Sequence, residues 1–390
     1  MTTQPKGAST RIIHNRRSHQ DCNSPFTPIY NTTNFIFDDT QQLRDTIEGK
    51  RDGYLYTRWG ANPTILELEQ GLATLEQAEG ALAFSAGMAA ISATLFAHGQ
   101  KGVVCLGDLY GGTQALLNNH LAPLGIKVTY LRYEQMNELD QHLTEGSLLY
   151  CETPANPTLR LLDLSLLADI AHKNKALLVV DSTFATPINQ QPLTLGADIV
   201  VHSASKYLGG HSDLTAGAVM ASKELLSNIS LWRKNLGQII APDTAALLSR
   251  SLRTLPLRVN QHNSNALALA QAMQKHPKIS RVLYPGLTDN QDYDLACKQM
   301  KGFGGMVTIE VVGGRQAAET VANNLKVFLL ATSLGGVESL VSQPVATSHH
   351  AISAEARAKQ GITDGMLRLS VGLEDVTDLI ADIEQALAFV

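Results

Sequence analysis

Cysteine is scarce in this chain: Cys22, Cys105, Cys151 and Cys297 are the only four in 390 residues, and no two form a Cys-x-x-Cys pair. That spacing excludes a disulfide framework and a thiolate zinc site, and suits a reducing compartment. Long apolar runs are missing as well. No stretch reaches the roughly 18 residues that span a bilayer. The start, MTTQPKGASTRIIHNRRSHQ, is basic but lacks the apolar centre of a signal peptide. The expected location is therefore cytoplasmic, with no membrane partner. A basic excess is absent too: 31 Lys and Arg face 36 Asp and Glu, for a net charge of -5. Without a Lys/Arg stripe, nucleic-acid binding is excluded. No repeat or low-complexity segment stands out. No Gly-x-Gly-x-x-Gly follows an apolar run, which argues against a dinucleotide-dependent dehydrogenase.

What remains is an ordinary globular composition, 44% hydrophobic and 17% charged, over a length that suggests about two domains. Residues 1–60 are polar and loop-rich and read as an arm. Asn62-Pro63-Thr64 then opens a helix, with Asn as cap and Pro in the first turn. From about residue 100, short apolar runs alternate with amphipathic ones. Val103–Leu106, Val128–Leu131, Leu148–Cys151, Leu177–Val180 and Ile199–Val201 read as buried strands, with a helix starting near Leu161 between two of them. Further on come a long helix over about 257–275, strands at Gly305–Val312 and Met366–Val371, and a closing helix carrying Val376, Leu379, Ile380, Ile383 and Leu387. The expectation is an α/β protein: the arm (1–60), a large domain with a mainly parallel sheet between helices (61–250), and a smaller C-terminal α/β domain (251–390).

Ligands of such sheets sit beyond the carboxyl ends of the strands, and four features fall there. Lys206, in HSASKYLGG, follows the run Ile199–Val201 and is flanked by the hydroxyls of Ser203 and Ser205. A partly desolvated lysine can form a Schiff base, and hydroxyls beside it can donate to a phosphate. Asp181 follows the run Leu177–Val180. A carboxylate there suits the ring nitrogen of pyridoxal phosphate, which must stay protonated for the ring to accept electrons. Gly87 and Met88, in FSAGMAA, open a helix whose N–H groups suit an anion. Tyr110, in DLYGGT, is an aromatic able to stack on a flat ring. Singly, each also fits a plain role: a surface lysine, a turn-capping acid, an empty helix start, a packed loop tyrosine. In this order, at one sheet edge, they form a cofactor site.

The ordered segments YTRWGANPT, SAGMAA, LYGGT, ETPANPT, DSTFATP, HSASKYLGGHSD, SLGGVESL and LRLSVGLED span nearly the whole chain. Together they resemble the Cys/Met-metabolism, or trans-sulfuration, family of fold-type I enzymes that use pyridoxal 5'-phosphate. Within it the likeness is strongest to the cystathionine γ-synthase and γ-lyase group. The resemblance implies γ-elimination or γ-replacement on sulfur amino acids or activated homoserine. Methionine γ-lyase and cystathionine β-lyase are the alternatives. An aminotransferase of the same fold would share Asp181 and Lys206 but not DLYGGT and SLGGVESL.

By this resemblance Lys206 carries the cofactor and shuttles the α-proton, Asp181 pairs with the ring nitrogen, and Tyr110 stacks on the ring and moves a second proton. Gly87, Met88, Ser203 and Ser205 hold the phosphate, and Asn156 lies near the ring hydroxyl. Arg368 binds the substrate carboxylate, helped by Ser333, with Thr332 and Tyr56 nearby. Tyr56 and Arg58 reach the phosphate of a neighbouring subunit, which implies a homodimer with shared sites, paired into a homotetramer.

Several positions depart from the family pattern. Thr332 stands where cystathionine-handling members carry Glu, and Gly112 where methionine γ-lyases carry Cys. Ala61 is an extra residue before Asn62, and Ser182 replaces an Asn. His349-His350 reads as a solvated pair rather than a metal site.

Overall fold

A strand buried on both faces has no polar side to show, so it reads as a continuous apolar run rather than an alternating one. Leu148–Glu152 is such a strand, buried at every position. The computed structural model describes residues 7–15, 26–347, 350 and 353–390; Cys22 and His349 lie outside them. Seven strands form the larger sheet: β1 (Gly80–Phe84), β2 (Val103–Leu106), β3 (Val128–Leu131), β4 (Leu148–Glu152), β5 (Leu177–Asp181), β6 (Ile199–Ser203) and β7 (Gly217–Ala221). Their order is β1-β7-β6-β5-β4-β2-β3. β7 alone runs against the rest, antiparallel to both β1 and β6.

β1 and β7 are absent from the sequence reading. Their residues, Gly-Ala-Leu-Ala-Phe and Gly-Ala-Val-Met-Ala, are small and carry little strand propensity. They become strands by pairing with each other over five residues. Asp181, expected just after a strand, is instead the last residue of β5, where it pairs in register with Glu152.

Helices cover both faces. Asn62 caps Pro63–Glu76 by accepting from the Thr64 N–H, and its amide donates to the Tyr30 carbonyl at 2.8 Å. The helix expected near Leu161 begins at Leu164, where the Asp163 carboxylate accepts from the Leu166 N–H. The short helix Ala8–Ile13 buries Ile12 in the same core as Ile65, Leu68 and Leu72.

The second sheet contains β8 (Ile279–Leu283), β9 (Met306–Val311), β10 (Leu329–Leu330), β11 (Leu340–Ser342) and β12 (Met366–Ser370), ordered β10-β11-β12-β9-β8. The helix Leu255–Met273 links the two cores. Leu255 and Val259 pack with the first, while Leu269 and Met273 pack with the second. The closing helix, Val376–Leu387, buries Leu379, Ile383 and Leu387 there.

None of the described helices is long and apolar enough to cross a membrane. Among the described residues, no group of three or more His, Cys, Asp or Glu side chains could hold a metal ion.

Candidate functional site

Lys206 sits in the turn that leaves β6: its N–H donates to the Ser203 carbonyl, and its own carbonyl accepts from Gly210. The Nζ donates to the Ser333 Oγ at 2.7 Å. Burial, and after it the nearby Arg368 guanidinium, pull the pKa of Lys206 below the usual lysine range. Both effects disfavour the ammonium form.

Arg368 rises from β12 and is itself buried. Its Nη1 donates to the Asn156 Oδ1 at 3.0 Å, and its Nη2 to the Ser333 carbonyl at 2.9 Å. Its Nε is buried without a hydrogen-bond partner. Burial pushes its pKa down to about 10. A guanidinium whose Nε–H is uncommitted in a dry site suits a carboxylate arriving from solution. Ser333, between the two cations, has φ +82°.

Asp181 is buried and accepts twice from Thr183, at 3.0 Å from the backbone N–H and 2.5 Å from the hydroxyl. Burial raises its pKa, and the two Thr183 bonds oppose that rise. The Thr183 hydroxyl also accepts from the Ser203 N–H at 2.8 Å, tying the Asp181 end of the site to the turn of Lys206.

The helix Gly87–His98 starts at Ala86, which has no capping side chain. Its first N–H groups therefore point into the site without a side-chain acceptor. A Cβ on Gly87 would lie 2.8 Å from the Ser203 Cβ and 2.9 Å from its Oγ, so only glycine lets Ser203 close on the helix start. Small residues, an open helix end and a hydroxyl together make a cradle for an anion such as a phosphate. The Ser205 hydroxyl is engaged elsewhere: it accepts from the Ala216 N–H at 2.9 Å and donates to the Ala216 carbonyl at 3.2 Å, bracing the turn on β7.

Tyr110 stands at the N-cap of the helix Gly111–Leu116 and is 47% exposed. Its N–H donates to the Glu152 Oε1 at 2.8 Å. A Cβ on Gly112 would lie 2.5 Å from the Tyr110 Cε1 and 3.1 Å from the Met88 Sδ, so the ring lies beside the anion cradle.

The structure thus brings together Lys206, Ser333, Arg368 and Asn156, then Asp181 with Ser203 and Gly87, and Tyr110 with Met88. It does not bring Tyr56 and Arg58 to them. The Arg58 Nη1 donates to the Lys234 carbonyl at 2.7 Å, and Tyr56 packs edge-on against Trp59. The extra Ala61 follows a turn that Gly60 closes at φ +87°. Thr332 is exposed beside Ser333. A cleft of ≈ 920 Å³ between β3 and β8 touches Asp108 but not Lys206.

Sequence reasoning missed Glu152, Thr183 and Asp108. Glu152 ends the apolar run Leu148–Cys151 just as Asp181 ends its own. The strand-end argument applied to Asp181 would have found it. Asp108 is buried, and burial raises its pKa to about 6.

A family model described as Cys/Met metabolism PLP-dependent enzyme matches residues 9–388. The chain is 43% identical to an L-methionine γ-lyase of Fusobacterium nucleatum subsp. nucleatum over 393 residues, covering 99% of each protein. It is 45% identical to a cystathionine γ-lyase of Bacillus subtilis over 343 residues, covering 87% of this chain and 90% of that one. Among solved structures, the cystathionine γ-synthase of Xanthomonas oryzae pv. oryzae, in complex with aminoacrylate and cysteine, superposes with a TM-score of 0.92. The two share 38% identity, covering 99% of this chain and 98% of the other.

Proposed function

The chain belongs to the Cys/Met-metabolism family of pyridoxal-phosphate-dependent enzymes, and on that premise we propose that it catalyses γ-elimination or γ-replacement on sulfur amino acids or activated homoserine, in the manner of cystathionine γ-lyase and γ-synthase. One observation carries the reading. The Lys206 amine, with its pKa lowered by burial and by Arg368, is held by Ser333 directly beside a guanidinium that has a spare donor.

The residues present fit the cofactor. Lys206 would hold its aldehyde, Asp181 its ring nitrogen and Tyr110 its face. The Gly87–Met88 helix start and Ser203 would hold its phosphate, with Ser205 bracing the turn and Asn156 near the ring hydroxyl. When bound, pyridoxal phosphate supplies an electron sink for charge left on the substrate's α-carbon.

The rest belongs to the side chains. Arg368 grips the substrate carboxylate through Nε, with Nη1 and Nη2 kept in place by Asn156 and Ser333. The Lys206 Nζ, whose ammonium form burial and Arg368 disfavour, accepts the α-proton and carries it. The Tyr110 hydroxyl serves as the second proton carrier, at the side of the leaving group. Thr332 offers a hydroxyl and no charge to the distal end of the substrate.

Tyr56 and Arg58 fit a role across an interface, in the site of a second copy. Ile36 is 97% exposed in the same arm, and Ile29, Ile47 and Tyr54 are exposed with it, an apolar surface that a partner would cover. We read the assembly as a homodimer that pairs into a tetramer, in the cytoplasm, with residues 1–60 as the docking arm.

Methionine γ-elimination is the second reading, favoured by the full-length likeness to the Fusobacterium protein. A product assay separates the readings. Release of 2-oxobutyrate from cystathionine, or formation of cystathionine from O-succinyl- or O-acetylhomoserine and cysteine, supports the first. Methanethiol from methionine in preference to these supports the second. Pyruvate from cystathionine overturns the γ-assignment. Borohydride reduction should fix a pyridoxyl group on Lys206, and labelling of another lysine would refute the site.

A further inference from the structure

Two acids end neighbouring strands. Glu152 closes β4, Asp181 closes β5, and the two are paired in register, so their side chains leave the sheet on the same face. Both are buried. Two buried carboxylates on adjacent, paired strands disfavour each other's ionisation, and the one with fewer hydrogen bonds is the better holder of a proton. Asp181 accepts two hydrogen bonds from Thr183, whereas Glu152 accepts one, from the Tyr110 N–H. The better-solvated anion is Asp181, so the proton belongs on Glu152. Its pKa is raised well above the ordinary glutamate value, first by burial and then by Asp181.

We propose that Glu152 is a positioning residue of this site, pinning the Tyr110 main chain beside the cofactor position and standing as the uncharged neighbour that leaves Asp181 the anion. The inference rests on the roles given above to Tyr110 and Asp181. Tyr110 begins the helix Gly111–Leu116, so its N–H is the point at which the strand layer can fix where that helix, and the ring with it, starts. The third acid nearby, Asp108, is occupied by the Thr158 hydroxyl and does not touch the Tyr110 N–H.

The test uses purified holoenzyme. Wild-type turnover of cystathionine or methionine, whichever is faster, is measured first; its absence would sink the functional reading and say nothing of Glu152. In Glu152→Gln the amide carbonyl still accepts from Tyr110 and the group is neutral. This variant should keep kcat within about threefold and keep the visible circular dichroism of the bound cofactor. Glu152→Ala and the shorter Glu152→Asp lose the Tyr110 bond. At equal cofactor content they should lower kcat about tenfold, move KM less, and weaken the visible dichroism. Should Glu152→Ala fail to fold, Glu152→Asp carries that arm. A Glu152→Gln enzyme as impaired as Glu152→Asp would overturn the proposal, because a charge would then be required. Unchanged dichroism and kcat in Glu152→Asp would overturn it equally.

Discussion

The Lys206 Nζ and the Ser333 Oγ are joined by a 2.7 Å hydrogen bond across 127 positions of chain. Lys206 belongs to the turn after β6 of the seven-stranded sheet, while Ser333 precedes β11 of the second sheet and is held through its carbonyl by Arg368 of β12. The orientation of the amine is thus set by the C-terminal part of the molecule. A proton carrier must be aimed before its pKa matters; Ser333 holds the amine, while burial and then Arg368 lower its pKa.

Ser333→Ala removes the acceptor and keeps the left-handed backbone at φ +82°. A hydrogen bond of this kind contributes about 1 kcal/mol, so kcat should fall about fivefold, with the cofactor still bound. Ser333→Gly removes the same hydroxyl but relieves the left-handed conformation, which costs a non-glycine residue about 1 kcal/mol. Denaturant titration should therefore find Ser333→Gly more stable than Ser333→Ala, while their kcat values match.

Arg368 has two nitrogens committed to Asn156 and Ser333 and one buried nitrogen without a partner. Lysine has no planar fork and satisfies only part of this arrangement. Arg368→Lys should raise KM for the amino-acid substrate about 10- to 100-fold, the equivalent of about 1.5–3 kcal/mol for a lost charge-assisted hydrogen bond. Inhibition by the corresponding amine lacking the carboxylate should stay unchanged. If both weaken together, Arg368 acts by shaping the pocket and not by gripping the carboxylate.

The strand-end positions of Asp181 and Lys206 were legible because a buried strand announces itself as an apolar run, and the residue beyond it has one place to go. Arg368 and Asn156 were not readable in this way. They lie 212 positions apart, and neither local pattern hints at the bond between them; family resemblance alone pointed to both. β1 and β7 were hidden by small side chains whose strand state comes from mutual pairing. Glu152 was open to the same strand-end argument as Asp181, but its pairing with Asp181 exists only once β4 and β5 lie side by side. The arm was read as polar, yet Ile12 reaches the main core, because one buried residue in a six-residue helix leaves no period to detect.

Gly112 offers a test of the Tyr110 ring independent of its backbone. Its φ is not in the left-handed region, so an alanine strains no torsion, but the new methyl would lie 2.5 Å from the Tyr110 Cε1. The ring is the part able to move. Gly112→Ala should leave thermal stability within about 0.5 kcal/mol, the range of a substitution absorbed by one mobile side chain. It should nevertheless lower kcat and alter the visible dichroism of the bound cofactor. Unchanged dichroism would mean that the ring does not face the cofactor position.

His262 gives the fold a defined acid limit. It is fully buried in the helix Leu255–Met273, and its Nδ1 donates to the Val371 carbonyl at 2.7 Å. Burial above all, with Arg258 adding to it and the Val371 bond opposing, lowers its pKa from 6.5 to about 4. Between those values the unfolded chain binds a proton that the folded chain refuses. Stability is therefore complete above pH 6.5 and is lost as pH falls towards 4. From pH 7 to pH 5 the loss from this residue is about 2 kcal/mol. Asp108 acts with the opposite sign, because its pKa is raised from 3.8 to about 6 and the folded chain binds the extra proton there. The comparison must therefore be made on one background. His262→Asn keeps a donor for Val371 and cannot titrate. Urea midpoints of the apoenzyme should fall less steeply from pH 7 to pH 5 in His262→Asn than in the wild type. Parallel pH profiles would show that the histidine titrates alike in the folded and unfolded chain and that the acid limit arises elsewhere.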